Sequence, residues 1–115
     1  MEPRAAIDAI ETQLTHVWMV RAFLKHADET VDDAELQEIH RTLYDFQLAT
    51  GAAAGGDDPA GYLKLARKKF SRLRAAAERF AEIQPDVSTH TNFQMAARSL
   101  SAAVREIERL LAAVE

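Results

Sequence analysis

The sequence predicts an all-α protein that folds as an antiparallel up-down-up-down four-helix bundle. Alanine, glutamate, lysine, leucine and arginine supply 57 of the 115 residues, a bias that is typical of long helices. Apolar residues recur at steps of three and four along four segments, which places them on one face of each helix. Short loops join these segments, and short loops favour antiparallel neighbours. The length fits a single domain, residues 1–115.

Capping and turn residues predict where each helix begins and ends. Pro3 and Pro59 suit the first turn of a helix, where a missing N–H costs nothing, and Asp58 suits the cap before Pro59. Gly51 predicts a left-handed end to the second helix, and Pro85 predicts the end of the third. The predicted helices span about residues 4–27, 33–50, 59–84 and 89–114.

The fourth predicted helix has the most regular apolar pattern. Its apolar residues alternate steps of four and three, the a/d spacing of knobs-into-holes packing. The predicted core residues of this helix are Phe93, Ala97, Leu100, Val104, Ile107, Leu111 and Val114. We therefore expect it to contribute to the core along its whole length.

Charge is distributed unevenly along the chain. Residues 1–58 carry 4 basic and 12 acidic side chains, whereas residues 59–84 carry 7 basic and 2 acidic ones. A basic helix could bind phosphates, but no aromatic residue on its charged face could stack on bases. We therefore expect these charges to guide helix pairing, with no nucleic-acid partner. No apolar run approaches the roughly 18 residues needed for a membrane span, and the N-terminus lacks an export signal, so we expect a cytoplasmic protein without membrane contact.

Arg21 interrupts the apolar stripe of the first helix. An unpaired buried guanidinium is costly, so Arg21 is expected to be paired or hydrated. In an antiparallel bundle Arg21 and His40 lie at the same level, beside Tyr44, with Glu78 as the nearest expected carboxylate. This polar layer of Arg21, His40, Tyr44 and Glu78 has two interpretations. It either selects helix pairing and register, which we favour, or forms a pocket for a small ligand or anion.

Arg21 and His26 are separated by four residues. This spacing resembles the Arg-x(4–6)-His motif of HEPN-type ribonucleases, which are also small helical bundles. The resemblance covers only these two residues, and a chain with ten arginines and four histidines readily contains such a spacing by chance. It implies a third, less favoured function, ribonuclease activity carried by Arg21 and His26.

The segment before the fourth helix is rich in polar side chains. Ser88, Thr89 and Asn92 could surround an anion together with the free N–H groups of a helix start. The same residues are also good caps, and we favour capping, with Ser88 or Thr89 at the N-cap.

The sequence contains no recognisable catalytic or metal-binding constellation. Cysteine is absent, no His-x-x-x-His or Glu-x-x-His pair occurs, and no serine lies in a glycine-bounded nucleophile turn. The glycine-containing loop 51–57 lacks the Gly-Lys-Ser/Thr ending of a P-loop. We therefore expect neither an enzyme nor a cofactor nor a bound metal.

The first helix is apolar on more than one side. Met19, Val20 and Phe23 lie away from its main stripe, and such a helix is usually buried on several sides. We expect these three residues to form a self-association surface, most simply in a symmetric dimer. The favoured prediction is thus a small non-catalytic interaction or scaffold protein that self-associates. The alternative is a bundle that binds a small ligand or anion.

Overall fold

The computed structural model describes residues 1–114, which form an antiparallel up-down-up-down four-helix bundle. The four α-helices within these residues are α1 (Pro3–His26), α2 (Ala34–Ala54), α3 (Pro59–Val87) and α4 (Thr91–Ala113). A short 3₁₀ turn, Asp28–Thr30, connects α1 to α2. The predicted fold class is confirmed.

Contacts between helix ends show the antiparallel order of the bundle. Arg4, at the start of α1, donates to the carbonyls of Ala54 and Gly56 at the end of α2, at 3.0 and 2.8 Å. Arg67, near the start of α3, donates to the carbonyl of Leu111 at the end of α4, at 2.9 Å. Successive helices are neighbours around the bundle, α4 closes it against α1, and α1 and α3 lie across the diagonal. The bundle measures 41 × 21 × 19 Å.

Two predicted helix ends are wrong. Gly51 lies inside α2 and does not adopt positive φ, because the helix continues through alanines, the best helix formers, and ends at Ala54 with Gly55 as its C-cap. Pro85 lies inside α3, which continues to Val87. A proline only biases the preceding residue away from helical geometry. Here the N–H of Ser88 still bonds the carbonyl of Gln84 and closes the last turn.

Side-chain caps accept hydrogen bonds from backbone N–H groups in the first turns of α1, α2 and α3. The carboxylate of Asp33 accepts from the N–H of Leu36, and that of Asp58 accepts from the N–H of Gly61, as the position of Asp58 before Pro59 predicts. Glu2 caps α1, which the sequence alone did not reveal, by accepting from two backbone N–H groups of the first turn.

The core is continuous and draws on every helix. Its largest fully buried side chains include Tyr62 and Phe80 of α3 and Leu100 and Ile107 of α4. The predicted stripe of α4 is buried from Phe93 to Leu111, and Val114 packs against the core at its edge. The buried side chains of α4 are all apolar, whereas those of α1 include Arg21. This difference directs attention to the α1 side of the bundle.

Candidate functional site

Arg21 is the only charged residue within the described residues 1–114 that is buried, at 7% exposure. Its guanidinium carbon lies 3.9 Å from the centre of the Trp18 ring and 5.7 Å from the centre of the Tyr44 ring. A cation over an aromatic face gains electrostatic stabilisation from the electrons of the ring. The two aromatic side chains therefore replace part of the hydration that Arg21 loses on folding.

His40 is the hydrogen-bond partner of Arg21. One terminal nitrogen of the guanidinium lies 3.3 Å from Nε2 of His40. Because a guanidinium has only donors, Nε2 must accept, and we assign the ring proton to Nδ1. Burial lowers the pKa of His40, and the nearby positive charges of Arg21, Lys25 and Arg41 lower it further. The structure thus brings Arg21, His40 and Tyr44 together around a neutral imidazole.

Glu78 does not join this layer, so the prediction that it pairs with Arg21 is wrong. Glu78 is exposed on α3, whereas Arg21 reaches His40 on α2. Within residues 1–114 Arg21 forms no ion pair with a carboxylate, and its Nε has no hydrogen-bond partner. The positive charge of Arg21 is therefore buried without an opposite charge beside it.

Arg21 and His26 do not meet, although they are close in sequence. His26 is exposed and lies in a depression of α1 lined also by Met19 and Phe23. The guanidinium of Arg21 is buried instead against Trp18 and His40. Because the two side chains lie on different sides of α1, this pair lacks the shared site that a ribonuclease resembling the HEPN type would need.

The start of α4 is satisfied by its own side chains. His90, and not Ser88 or Thr89, is the N-cap, because its Nδ1 accepts from the N–H of Asn92 at 3.0 Å. Ser88 Oγ accepts from the N–H of His90, and the carbonyl of Thr89 accepts from the side-chain amide of Gln94. At the predicted anion site of Ser88, Thr89 and Asn92, the N–H of Asn92 is therefore not available to an anion, because it already donates to His90.

The three residues predicted for self-association do not share one exposed surface. Met19 is exposed, but Val20 is buried, and Phe23 is partly buried with its ring edge against Phe93 of α4, the centroids 4.9 Å apart. The assignment of Val20 to an outer surface is wrong, because its side chain is buried in the core of the bundle. The apolar character of α1 on several sides is thus explained largely within the monomer.

Other large apolar side chains remain exposed where α1 borders α2. We call Trp18, Met19, Tyr44 and Leu48 the apolar face. These four residues line a groove of about 650 Å³ between the two helices, and the only charged residue among the residues lining it is Glu11. Trp18 and Leu48 belong to different helices, and only the packed helices show that they line the same groove.

Polar contacts hold the groove in place. The hydroxyl of Tyr62, which is buried, donates to Oε2 of Glu11 at 2.6 Å, and the side-chain amide of Gln47 donates to the carbonyl of Leu14 at 2.9 Å. Burial raises the pKa of Tyr62, and the hydrogen bond to Glu11 raises it further. These bonds cross from one helix to another, so they fix the walls between which the groove lies.

Two of the seven basic residues of α3 form ion pairs with neighbouring helices. Arg79 pairs with Glu35 of α2, and Arg74 pairs with Glu108 of α4 at 3.0 Å. All four side chains are about half exposed, and ion pairs of this kind contribute little stability. Their placement agrees with the interpretation that the charge pattern guides which helices lie side by side.

No family model, no curated protein and no solved structure matches this chain. Across residues 1–114, no helix is long and apolar enough to cross a membrane. In the same part of the chain, no group of three or more histidine and acidic residues is arranged to hold a metal ion. The site must therefore be interpreted from its own geometry.

Proposed function

We propose that this protein is a non-catalytic interaction module that forms a symmetric dimer through the apolar face. The observation that carries the proposal is the exposure of four large side chains on two adjacent helices. Met19 and Leu48 are 67% and 63% exposed, and Trp18 and Tyr44 are 44% and 41% exposed. Exposed apolar residues that adjoin on one surface are typical of protein interfaces, whereas scattered ones are ordinary.

A second copy of the chain fits this face better than a charged partner would. In a symmetric dimer the same surface lies on both sides of the interface, and residues near the two-fold axis meet their own counterparts, so a patch with charges of one sign would repel its copy. The groove has only Glu11 among its charged lining residues, and the carboxylate of Glu11 is already bonded to Tyr62. Met19 and Leu48 protrude beside the groove, so the same surface offers both ridges and a groove to receive them.

The outer surface of α1 and α2 limits the size of such a dimer interface. Two helices of 24 and 21 residues, packed roughly 10 Å apart, present an outer surface on the order of 600 Å², of which the apolar face is one part. A stable interface buries about 800 Å² on each partner, so the proposed dimer would also bury residues that surround the apolar face. The proposal replaces the surface of Met19, Val20 and Phe23 with one shared by α1 and α2.

Light scattering or sedimentation at micromolar concentration tests the proposal. We expect twice the chain mass of 12.8 kDa for the wild type and a monomer for Met19→Asp combined with Leu48→Asp. Met95→Asp is the matched control, because Met95 is also an exposed methionine but lies on α4, away from the apolar face. A wild-type monomer at 100 μM, or equal dissociation by Met95→Asp, would refute the dimer. The cytoplasmic location is part of the proposal and is tested by fractionating native cells.

A further inference from the structure

A second depression lies where the end of α1, the 3₁₀ turn and α2 meet. This corner pocket has a volume of about 380 Å³, which falls in the range of small-molecule sites. Its lining residues include two cations and no acidic residue. They are Lys25, Thr30, Gln37, His40, Arg41 and Tyr44. The chain as a whole carries a net charge of −4, so this local excess of positive charge runs against the overall balance.

Several donors at the corner pocket have no partner or a weak one. Thr30 is nine-tenths buried, yet its hydroxyl has no hydrogen-bond partner. Within residues 1–114, neither the ammonium of Lys25 nor Nδ1 of His40 has a hydrogen-bond or ion-pair partner. Arg41 pairs only with Glu38, at 3.3 Å and at an exposed position where ion pairs are weak. The pocket therefore offers donors that its own side chains do not use.

We propose that the corner pocket binds a small oxyanion, of the class of phosphate or a short dicarboxylate, through Lys25 and His40. The Arg21–His40 contact supports this inference. Since Nε2 of His40 accepts from Arg21, its Nδ1–H is free to donate to a bound anion. Charge-assisted hydrogen bonds of this kind are the strong ones in anion recognition. Arg41, Thr30, Gln37 and Tyr44 complete the lining. The side-chain amide of Gln37 already donates to the carbonyls of Thr30 and Val31.

The proposed site also accounts for the buried charge of Arg21. A bound anion and the guanidinium lie on opposite sides of the His40 ring and both bond to it, so the imidazole links the two charges. The aromatic faces of Trp18 and Tyr44 stabilise the cation when the pocket is empty. The anion supplies the opposite charge that no carboxylate of the described residues provides. The two proposals share Tyr44, which belongs to the apolar face and lines the corner pocket. Lys25 lies outside the apolar face, so Lys25→Met tests anion binding without altering the surface of the proposed dimer.

Calorimetry and NMR with two probes test the site. Inorganic phosphate and succinate are titrated separately into the wild-type protein, with ionic strength held constant by sodium chloride. We expect saturable binding of one ion per chain together with shifts of the ring resonances of His40. Lys25→Met is expected to weaken binding about tenfold, the loss of one charge-assisted hydrogen bond. Lys64→Met is the matched control, because it removes the same charge from an exposed position on α3.

Each outcome decides the inference. Saturation by phosphate alone indicates a phosphoryl ligand, saturation by succinate alone indicates a dicarboxylate, and saturation by both indicates a general oxyanion site. Binding of neither probe overturns the inference. Equal weakening by Lys25→Met and Lys64→Met also overturns it, because the ions would then respond only to net charge. Circular dichroism of both variants checks that the helices are intact.

Discussion

Two neighbouring helices of similar length, α1 and α4, differ in the kinds of side chain that they bury. The buried side chains of α4 are all apolar and follow the a/d spacing from Phe93 to Leu111. The buried stripe of α1 has the same spacing but includes Arg21, and its partly buried Glu11 bonds to Tyr62. Both helices lie in one bundle and contact each other extensively. The difference therefore arises from what each helix faces on its other side.

Arg21 contacts His40 of α2, and Glu11 lines the groove between α1 and α2 while it accepts from Tyr62 of α3. Of its two adjacent helices, α1 packs less extensively with α2 than with α4. There the apolar face and its groove remain open, and the corner pocket adjoins Lys25 at the end of α1. The buried side chains of α4 contain no polar atom that needs a hydrogen-bond partner. The comparison indicates that α4 contributes mainly to stability, whereas the α1–α2 side combines stability with surfaces that other molecules can reach.

The largest expected effect is on α4. Leu100→Ala removes a fully buried side chain and leaves a cavity, so we expect unfolding free energy to fall by about 2–5 kcal/mol. Leu48→Ala is the matched control, since the same change at an exposed position should cost less than about 0.5 kcal/mol. Urea unfolding, at a concentration where both variants are monomeric, measures the difference. Similar losses for the two variants would contradict the observed burial.

Arg21→Met tests the buried charge of α1, and here we expect a gain in stability instead of a loss. Replacing a buried cation that lacks a carboxylate partner with an apolar side chain should raise the unfolding free energy by about 1–2 kcal/mol. Removing the positive charge should also raise the pKa of His40 toward its ordinary value, only in part, because burial remains the largest cause of its lowering. Urea unfolding and NMR titration of His40 measure the two effects.

The same variant alters the pH dependence of stability. A histidine whose pKa is lower in the folded than in the unfolded state adds stability above the unfolded pKa, near 6.5, and loses it as pH falls below that value. We therefore expect the loss between about pH 6.5 and 5 to be smaller in Arg21→Met than in the wild type. A variant that is less stable at pH 7, with the pKa of His40 unchanged, would show that Arg21 holds the layer together.

Tyr62→Phe removes a polar contact of α1 without changing the packed ring. The lost bond to Glu11 should cost about 1 kcal/mol at pH 7. The raised pKa of Tyr62 adds stability that is fully present below the unfolded pKa near 10 and is lost at higher pH. The wild type should therefore lose about 1.4 kcal/mol per pH unit above pH 10 from this residue, and Tyr62→Phe should not. Thermal unfolding between pH 8 and 11, with Tyr44→Phe as control, checks this.

The smallest expected effect is at the first turn of α1. Arg4→Ala removes two hydrogen bonds to the end of α2, at the carbonyls of Ala54 and Gly56, and should cost about 0.5–1 kcal/mol. Hydrogen exchange should accelerate at the amides of residues 51–54, whereas those of α4 should keep their protection. Uniform acceleration along the whole chain would show that Arg4 acts on global stability and not on the local end of α2.

The sequence predicted the candidate site in part. Arg21 was recognisable because it breaks an apolar period, and the antiparallel order places it at the level of His40. The predicted pairing of Glu78 with Arg21 was wrong. Residue spacing gives the level of a side chain along the bundle axis, but it does not show which side chain of another helix it contacts. His40 and Tyr44, which line the corner pocket, were named in the alternative prediction of a pocket for a small ligand or anion. Lys25, Thr30 and Arg41 were missed, since they come from three separate segments and each looks like an ordinary surface residue.

Periodicity and composition alone determined the four helices, their antiparallel order and most of the core, because helix formation and burial of one face depend on local spacing. The ends of α2 at Ala54 and of α3 at Val87 were decided by the packed structure, as were the burial of Val20 and the contact of Phe23 with α4. The isolation of Arg21 from a carboxylate was decided in the same way. Each of these features depends on which side chain of a distant segment occupies the space beside it, and no local pattern in the sequence carries that information.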